Sequence, residues 1–267
     1  MSQRWAVWFD VSGDVRFLSH HDLVRVMERA AARAKLPVRH SQGFNPRPRL
    51  SLVLPRPVGV ASRCEVMVID FDADLPVAHA ELPVAQPFQA VRAQAGKPVP
   101  PGTAGETPAT LPDWAAALGR QLPPGLAVGR AHPLPPGRQP QSEQVTYAME
   151  LDSDEAAAVA ARLKELDRQP SWPVRRQRHG APPEAARDID LRPLVRALDL
   201  AGTTLTFTLA TGPSGSARCG EVLSLLPLSG AAAGPAGGAE AASPGVARLT
   251  RTLLTLTSAA GDKESTE

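Results

Sequence analysis

The sequence is poor in cysteine, with only Cys64 and Cys219 among 267 residues. Two distant thiols cannot supply a four-cysteine zinc site or the three-cysteine loop of an iron–sulfur cluster from this chain alone. They also give no disulfide framework, which is typical of a protein in a reducing cytoplasm. We therefore expect this chain to bind no metal and no cofactor of its own.

Long apolar runs are also missing. No stretch of about 18 apolar residues occurs, which disfavours a membrane-spanning helix. The opening residues MSQRWAVWFDVSGD lack an apolar core of signal-peptide length. These two absences predict a soluble cytoplasmic protein with no membrane partner.

Aromatic side chains make up only 4% of the residues. No pair of aromatics of the RNP type lies on a predicted strand, which disfavours an ordinary RRM domain. The sequence has no glycine-rich phosphate loop after a strand, no G-x-S-x-G and no H-E-x-x-H. Taken alone, the residues specify no reaction.

Positive charge is concentrated near the amino terminus. The formal net charge of the whole chain is +2, but residues 1–63 hold eleven Lys/Arg and four Asp/Glu, a formal excess of seven positive charges. Such an excess favours an anionic partner, because lysine and arginine release counterions from phosphates. A merely solubilising surface remains the alternative.

The first half reads as strand, helix, strand, strand, helix, strand. Residues 4–9 alternate as a strand, and Ser19 followed by Asp22 predicts a helix N-cap. Arg25, Arg29 and Arg33 recur every four residues and predict a cationic stripe on that helix.

The second half repeats this rhythm, with a helix expected over 153–166 and another over 189–202. We therefore predict an α+β protein of two tandem ferredoxin-like (βαββαβ-type) domains, 1–137 and 143–257. Three further segments complete the prediction: flexible Ala/Pro/Gly-rich insertions at 84–110 and 229–245, and a disordered tail at 258–267.

His20 and His21 are the weak catalytic candidates. Both fall in the first helical turn, where unsatisfied amides favour anions and keep an imidazole neutral. One of them would serve as a general base or as a phosphate contact; the alternatives are a structural role and a metal ligand. Adjacent helical residues point about 100° apart, and a metal would need further ligands, so we predict no metal site.

The segment SQGFNPRPRL, residues 41–50, predicts a turn with two guanidiniums beside it. Gly43 permits a positive φ, Asn45 starts a turn before proline, and Arg47 and Arg49 flank the next proline. Such a loop suits phosphate or carboxylate, and a solvated strand-entry loop is the alternative. Phe44 could stack on a base or enter the core, and we expect it to enter the core.

A second basic segment lies at 173–180, where Arg175, Arg176 and Arg178 fall on one predicted strand. A binding face and a solvated face are equally compatible with it. The candidate binding residues across the chain are Arg16, Ser19, His20, Arg25, Arg29, Ser41, Gly43, Asn45, Arg47, Arg49, Arg175, Arg176 and Arg178.

Three blocks of residues resemble the radical-SAM-linked protein family, a domain of unknown function encoded beside, or fused to, cobalamin-binding-type radical SAM proteins. The blocks read R-F-L-S-H-x-D-L from Arg16, S-x-G-F-N-P from Ser41, and P-x-x-x-G-x-x-S-x-x-E from Pro55. Arg47 stands where the family usually has histidine, and Arg56 where it usually has leucine.

The resemblance implies a radical SAM protein as partner, with the iron–sulfur cluster and S-adenosylmethionine bound by that partner. We expect an accessory protein that is not itself an enzyme. It would present RNA, with tRNA as the first candidate, or another anionic substrate. Two alternatives stay open: a metal-independent RNA-processing enzyme like the CRISPR endoribonucleases, and a protein–protein adaptor that binds no RNA.

Overall fold

The computed structural model of the protein describes residues 3–72, 111–135, 139–176, 186–212, 215–228 and 244–257. The predicted insertion at 84–110, most of that at 229–245 and the tail at 258–267 lie outside the described residues, and so does Arg178.

The described residues of the first half form four strands and two α-helices. They are β1 (Gln3–Val11), α1 (His20–Arg33), β2 (Leu50–Leu52), β3 (Ala61–Phe71), α2 (Asp113–Arg120) and β4 (Leu126–Leu134). A 3-10 helix (Gly13–Phe17) connects β1 to α1. The sheet order is β4-β1-β3-β2, and each neighbouring pair is antiparallel.

Alternation along β1 places its side chains on two faces of the sheet. Trp5, Val7 and Phe9 are buried in one apolar cluster with residues of α1 and α2. Trp114 of α2 packs edge-on against Trp5, with ring centroids 5.1 Å apart. Ala6, on the other face, belongs to a second cluster. The strand predicted at 4–9 is thereby confirmed.

In the second half, the part of the chain that the structure describes holds six strands and three α-helices. They are β5 (Gln141–Glu150), α3 (Ser153–Arg168), β6 (Pro173–Arg176), β7 (Arg187–Asp190), β8 (Val195–Ala201), β9 (Thr204–Ala210), α4 (Cys219–Leu223), α5 (Pro244–Ala247) and β10 (Thr250–Thr257). Four of these strands have the order β10-β5-β9-β8, again with antiparallel neighbours. Strands β6 and β7 form a separate two-stranded sheet.

The helix expected over 189–202 is wrong. That segment holds β7, a 3-10 helix (Arg192–Leu194) and β8. Leucines at 191, 194 and 198 mimic a helical period, but Leu198 and Leu200 alternate with exposed residues along β8. Gly202 adopts a φ of +62° and turns the chain directly into β9, so it closes a hairpin rather than ending a helix.

One sheet runs through both halves, because β10 pairs in parallel with β3 at Thr250–Ala61 and Arg251–Ser62. The larger apolar cluster likewise joins Ala6, Val60 and Val66 to residues of the second half. The protein is therefore a mixed α+β structure with a large mixed sheet and few helices. The domain bounds 1–137 and 143–257 stay predictions.

Candidate functional site

Ser19 caps α1, as its position before Asp22 predicts. Its Oγ accepts a hydrogen bond from the Asp22 backbone N at 3.2 Å and donates to the Asp22 carboxylate at 2.7 Å. Asp22 also pairs with Arg25, whose Nη1 lies 3.3 Å from Oδ1. The hydroxyl of Ser19 is thus already engaged in holding the start of the helix.

His20 and His21 occupy different environments at this helix start. Their rings meet edge to face with centroids 5.6 Å apart, His21 being exposed and His20 half-buried. Nδ1 of His20 is buried and has no hydrogen-bond partner among the described residues. Burial lowers the pKa of His20, as does the charge of His21, while Glu65 acts in the opposite direction. A neutral imidazole near pH 7 follows, which suits a proton acceptor.

Arg16 lies next to this helix start. Its guanidinium sits over the Phe17 ring, 4.9 Å from the centroid. Its backbone carbonyl accepts hydrogen bonds from the Gly59 backbone N and from Nη1 of Arg56, each at 2.8 Å. These two hydrogen bonds connect residues 56–59 to the segment that leads into α1. Sequence blocks 16–23 and 55–65 meet at this point of the fold.

The loop after α1 is closed by short hydrogen bonds. The Ser41 backbone N donates to the Arg47 carbonyl at 2.8 Å, and the Arg47 backbone N donates to Ser41 Oγ at 3.0 Å. Gly43 has a φ of +148°, and Asn45 and Arg47 are exposed. We call residues 41–47 the arginine loop. The positive φ predicted for Gly43 is confirmed.

Phe44 does not enter the core, contrary to the expectation from its hydrophobicity. Its side chain is 103% exposed at the middle of the arginine loop. The core beneath the helices is already filled by Trp5, Trp114 and Phe71, whose rings contact each other edge-on. The closed loop holds Phe44 away from that core.

Arg49 leaves the arginine loop toward the end of β3. Its Nη1 lies 3.7 Å from Oδ2 of Asp70, which also receives two hydrogen bonds from Arg4, at 2.6 and 3.0 Å. Arg4 holds the pKa of the Asp70 carboxyl below its usual range. A shallow cavity of about 250 Å³ opens at these three residues and Ser51. Arg49 is 43% exposed, so its guanidinium still reaches solvent.

Arg25, Arg29 and Arg33 of α1 are all exposed, so the predicted cationic stripe is present. Nη2 of Arg33 also donates to the Gln121 carbonyl at 2.6 Å, which links α1 to the end of α2.

The basic strand of the second half is only partly described. Arg175 is exposed on β6, while Arg176 forms two hydrogen bonds of 2.5 Å with the Glu221 carboxylate. A third bond of 2.9 Å goes to the Ser216 carbonyl. Arg176 thus links β6 to α4. Of the two arginines described in this segment, Arg175 is the exposed one.

Sequence reasoning missed a buried charged cluster at the joint of the two halves. Arg251 of β10 donates to Glu65 of β3 at 3.0 Å and to the Tyr147 hydroxyl at 3.2 Å. Burial lowers the pKa of the Arg251 guanidinium, but Glu65 and Tyr147 outweigh burial and raise it. Arg56, also buried, donates to the carbonyls of Arg16, Pro57 and Val60. The sole signal in sequence was Glu65 as the last residue of the third block.

The candidate residues fall into separate groups rather than one patch. Arg16, Ser19 and His20 lie at the start of α1 and near Glu65, whereas Arg49 meets β3 at Asp70. Glu65 and Asp70 are five residues apart on β3, which corresponds to roughly 17 Å along an extended strand. Arg175 belongs to the separate sheet of the second half.

Neither a metal cluster nor a membrane span is found in the described parts of the chain. No three His, Cys, Asp or Glu side chains there gather closely enough to hold a metal ion. The described helices include none that is long and apolar enough to cross a bilayer. Both cysteines are buried, and burial raises the pKa of the Cys64 thiol to about 12.

The model of an uncharacterized protein family conserved in bacteria (DUF2344) matches residues 4–88. No curated protein matches the chain. The matched interval covers about a third of the sequence, from β1 through β3, and includes all three blocks together with the arginine loop. Over that interval the chain is similar to a family without an assigned activity.

Proposed function

We propose that this protein is a non-catalytic binding module that presents RNA to a radical SAM enzyme, with tRNA as the first candidate. The observation that carries the RNA part is a group of exposed arginines in the first half that includes Arg25, Arg29, Arg47 and Arg49. Exposed guanidiniums can contact phosphate and release its counterions. The radical SAM partner rests on the resemblance of the three sequence blocks.

The proposal includes a fold of two ferredoxin-like units. Its support is the strand order, β4-β1-β3-β2 in one half and β10-β5-β9-β8 in the other, with antiparallel neighbours in both. In each unit the first and third strands lie in the centre of the four-stranded order, and the second and fourth strands lie at its edges, as βαββαβ connections require. In the second unit β6 and β7 are an addition between the first helix and the next strand of the sheet.

A salt series of tRNA binding tests the RNA part. Fluorescence anisotropy of labelled tRNA is measured for the wild type and for the Arg47→Ala/Arg49→Ala variant. Each phosphate contact contributes about 0.7–0.9 to the slope of log K against log salt, so the double variant should bind more weakly and with a slope reduced by about 1–2.

The matched control is Arg120→Ala/Arg168→Ala, which removes the same charge from exposed positions in the last turns of α2 and α3. An equal loss in both variants would mean that net charge alone attracts tRNA and would contradict a site at the arginine loop. No tRNA binding by the wild type at low salt would contradict the RNA part altogether. Binding of a radical SAM protein without RNA would then select the adaptor.

A second candidate function is supported by His20. Its lowered pKa and its buried Nδ1 are properties of a general base, so an RNA-processing reaction is the runner-up. It predicts that wild-type protein cleaves RNA without added metal and that His20→Ala abolishes cleavage while leaving RNA affinity within about twofold. Absence of cleavage by the wild type under conditions where RNA is bound would rule it out.

A further inference from the structure

Phe44 is the most exposed large apolar side chain among the described residues. The next two, Phe17 and Leu253, are each 47% exposed, against 103% for Phe44. Nothing in the described structure covers its ring, and both faces of the ring are open to solvent. The Phe44 ring therefore gains no stabilisation from burial within the described structure, and it is open to contact with a partner.

The arginine loop presents this ring from a fixed base. Below the closure between Ser41 and Arg47, the Arg49 backbone N donates to the Arg39 carbonyl at 2.7 Å. Both arginines are also hydrogen-bonded to the backbone of Asp70 of β3. The Arg39 backbone N donates to the Asp70 carbonyl at 2.8 Å, and the Asp70 backbone N donates to the Arg49 carbonyl at 3.1 Å. Phe44 lies three residues from each end of the closed loop, at its apex. The loop is therefore organised before any partner arrives.

Positive charge is concentrated at the base of the loop that carries this ring. Arg39, Arg47 and Arg49 stand at the base of the loop, and the acidic groups recorded beside them are Asp70 and Asp72. Arg39 and Arg49 pair with these carboxylates only at 3.7 Å and remain 37% and 43% exposed. Arg4, Arg39 and Arg49 thus share the two carboxylates of Asp70 and Asp72, and Arg47 adds a further positive charge at the end of the loop.

The neighbours of Phe44 decide between a protein and a nucleic acid as the occupant. A protein interface centres on a cluster of apolar side chains with a polar rim. Phe44 instead stands alone between Gly43 and Asn45, both of them exposed. A lone ring at the apex of a loop with a cationic base fits single-stranded nucleic acid, in which a base stacks on the ring and the adjoining phosphates contact the cations.

We propose that Phe44 stacks on an unpaired base of single-stranded RNA while Arg47 and Arg49 contact the flanking phosphates. The inference rests on the RNA binding proposed above and names its substrate class, a loop or single-stranded segment rather than a duplex. In a duplex each base is already stacked within the helix and its face is closed to the ring. The shallow cavity at Arg49, Asp70 and Ser51 lies on the path that leads from the loop along β3.

The test compares the affinity of the protein for a single-stranded RNA and for a hairpin duplex of the same length. Loss of one stacked base should weaken single-strand binding of Phe44→Ala by about 5- to 150-fold, with the salt dependence unchanged, because no charge is removed. Duplex binding should change by less than twofold. Phe44→Tyr should bind as the wild type does, whereas Phe44→Leu, apolar without a π face, should bind like Phe44→Ala.

Each outcome separates the two proposals. If the wild type binds RNA and Phe44→Ala binds it equally well, stacking is overturned while RNA binding stands. Wild-type affinity in Phe44→Leu would replace stacking by simple apolar contact and overturn the inference. Equal loss for strand and duplex would overturn the substrate class. If the wild type binds neither RNA, the proposed function itself fails. Thermal unfolding of every variant should match the wild type, because the ring is fully exposed.

Discussion

Arg251 and Glu65 form an ion pair in which each side chain is 1% exposed and Nη1 lies 3.0 Å from Oε1. The two residues are 186 positions apart and belong to β10 and β3, the strands at which the halves of the sheet meet. Taking two charges out of water is expensive, so such a pair persists when further hydrogen bonds satisfy it. Tyr147 and the carbonyls of Leu54 and Pro55 provide these bonds for Arg251.

Replacing one member of this pair should destabilise the protein strongly. Arg251→Met leaves the Glu65 carboxylate buried and unpaired, which should lower the free energy of unfolding by about 3–5 kcal/mol. Urea unfolding followed by tryptophan fluorescence measures this, with Trp5 and Trp172 reporting on the two halves. The double variant Glu65→Gln/Arg251→Met removes both charges and should recover most of the loss. Equal instability of the single and double variants would contradict a paired charge at this position.

The Asp70 carboxyl should make the stability of the wild type depend on pH in a defined direction, and Asp70→Asn should remove that dependence. Arg4 holds the pKa of the Asp70 carboxyl below its usual range in the folded protein. The stabilisation is therefore complete above the unfolded-state pKa of about 3.9 and is lost as the pH falls through the lower folded-state pKa. At pH 7 the variant should lose about 1.5–3 kcal/mol, the contribution of hydrogen bonds to a charged group.

The difference between wild type and Asp70→Asn should then shrink below pH 4. Asp72→Asn is the matched control, because Asp72 is 62% exposed and lies 3.7 Å from Arg39, whereas Asp70 is 12% exposed. An exposed pair of this kind contributes little, so the control should change stability by less than about 0.5 kcal/mol. Equal effects of the two substitutions across the pH series would contradict the assigned role of Arg4.

Ser19→Ala should cost about 1 kcal/mol, because it removes the side-chain oxygen that caps α1. Circular dichroism during urea unfolding measures the loss. Ser19→Asn should retain the stability, since asparagine caps as well as serine and can also donate to Asp22. RNA affinity measured on the same proteins then shows whether the hydroxyl serves RNA as well as the helix. An unchanged stability in Ser19→Ala would contradict the capping role.

Local periodicity explains what the sequence made predictable. The strand at 4–9, the cap at Ser19 and the helix that begins at Ser153 all follow from residues within one or two turns of each other. The helix predicted over 189–202 is wrong because the leucines there fit both the helical period and the alternation of a strand. Pairing with β9 decides in favour of the strand. Local pattern cannot supply that pairing.

The candidate site was predictable as a set of residues but not as an arrangement. The closed arginine loop follows from its glycine and prolines, whereas the exposure of Phe44 depends on a core that other aromatic rings already fill. The pairing of Arg176 with Glu221 joins residues 45 positions apart, and that of Arg251 with Glu65 spans most of the chain. No window of sequence contains both members of such a pair.

The parallel pairing of β10 with β3 has a consequence for synthesis on the ribosome. Translation at about 5–20 residues per second delivers Arg251 roughly 10–40 s after Glu65. During that interval the nascent first half holds a carboxylate whose partner does not yet exist, and β3 has an open edge at residues 61–62. The pairing of β10 with β3 therefore forms only after β10 has been made, and a chain released earlier would keep the Glu65 carboxylate without Arg251.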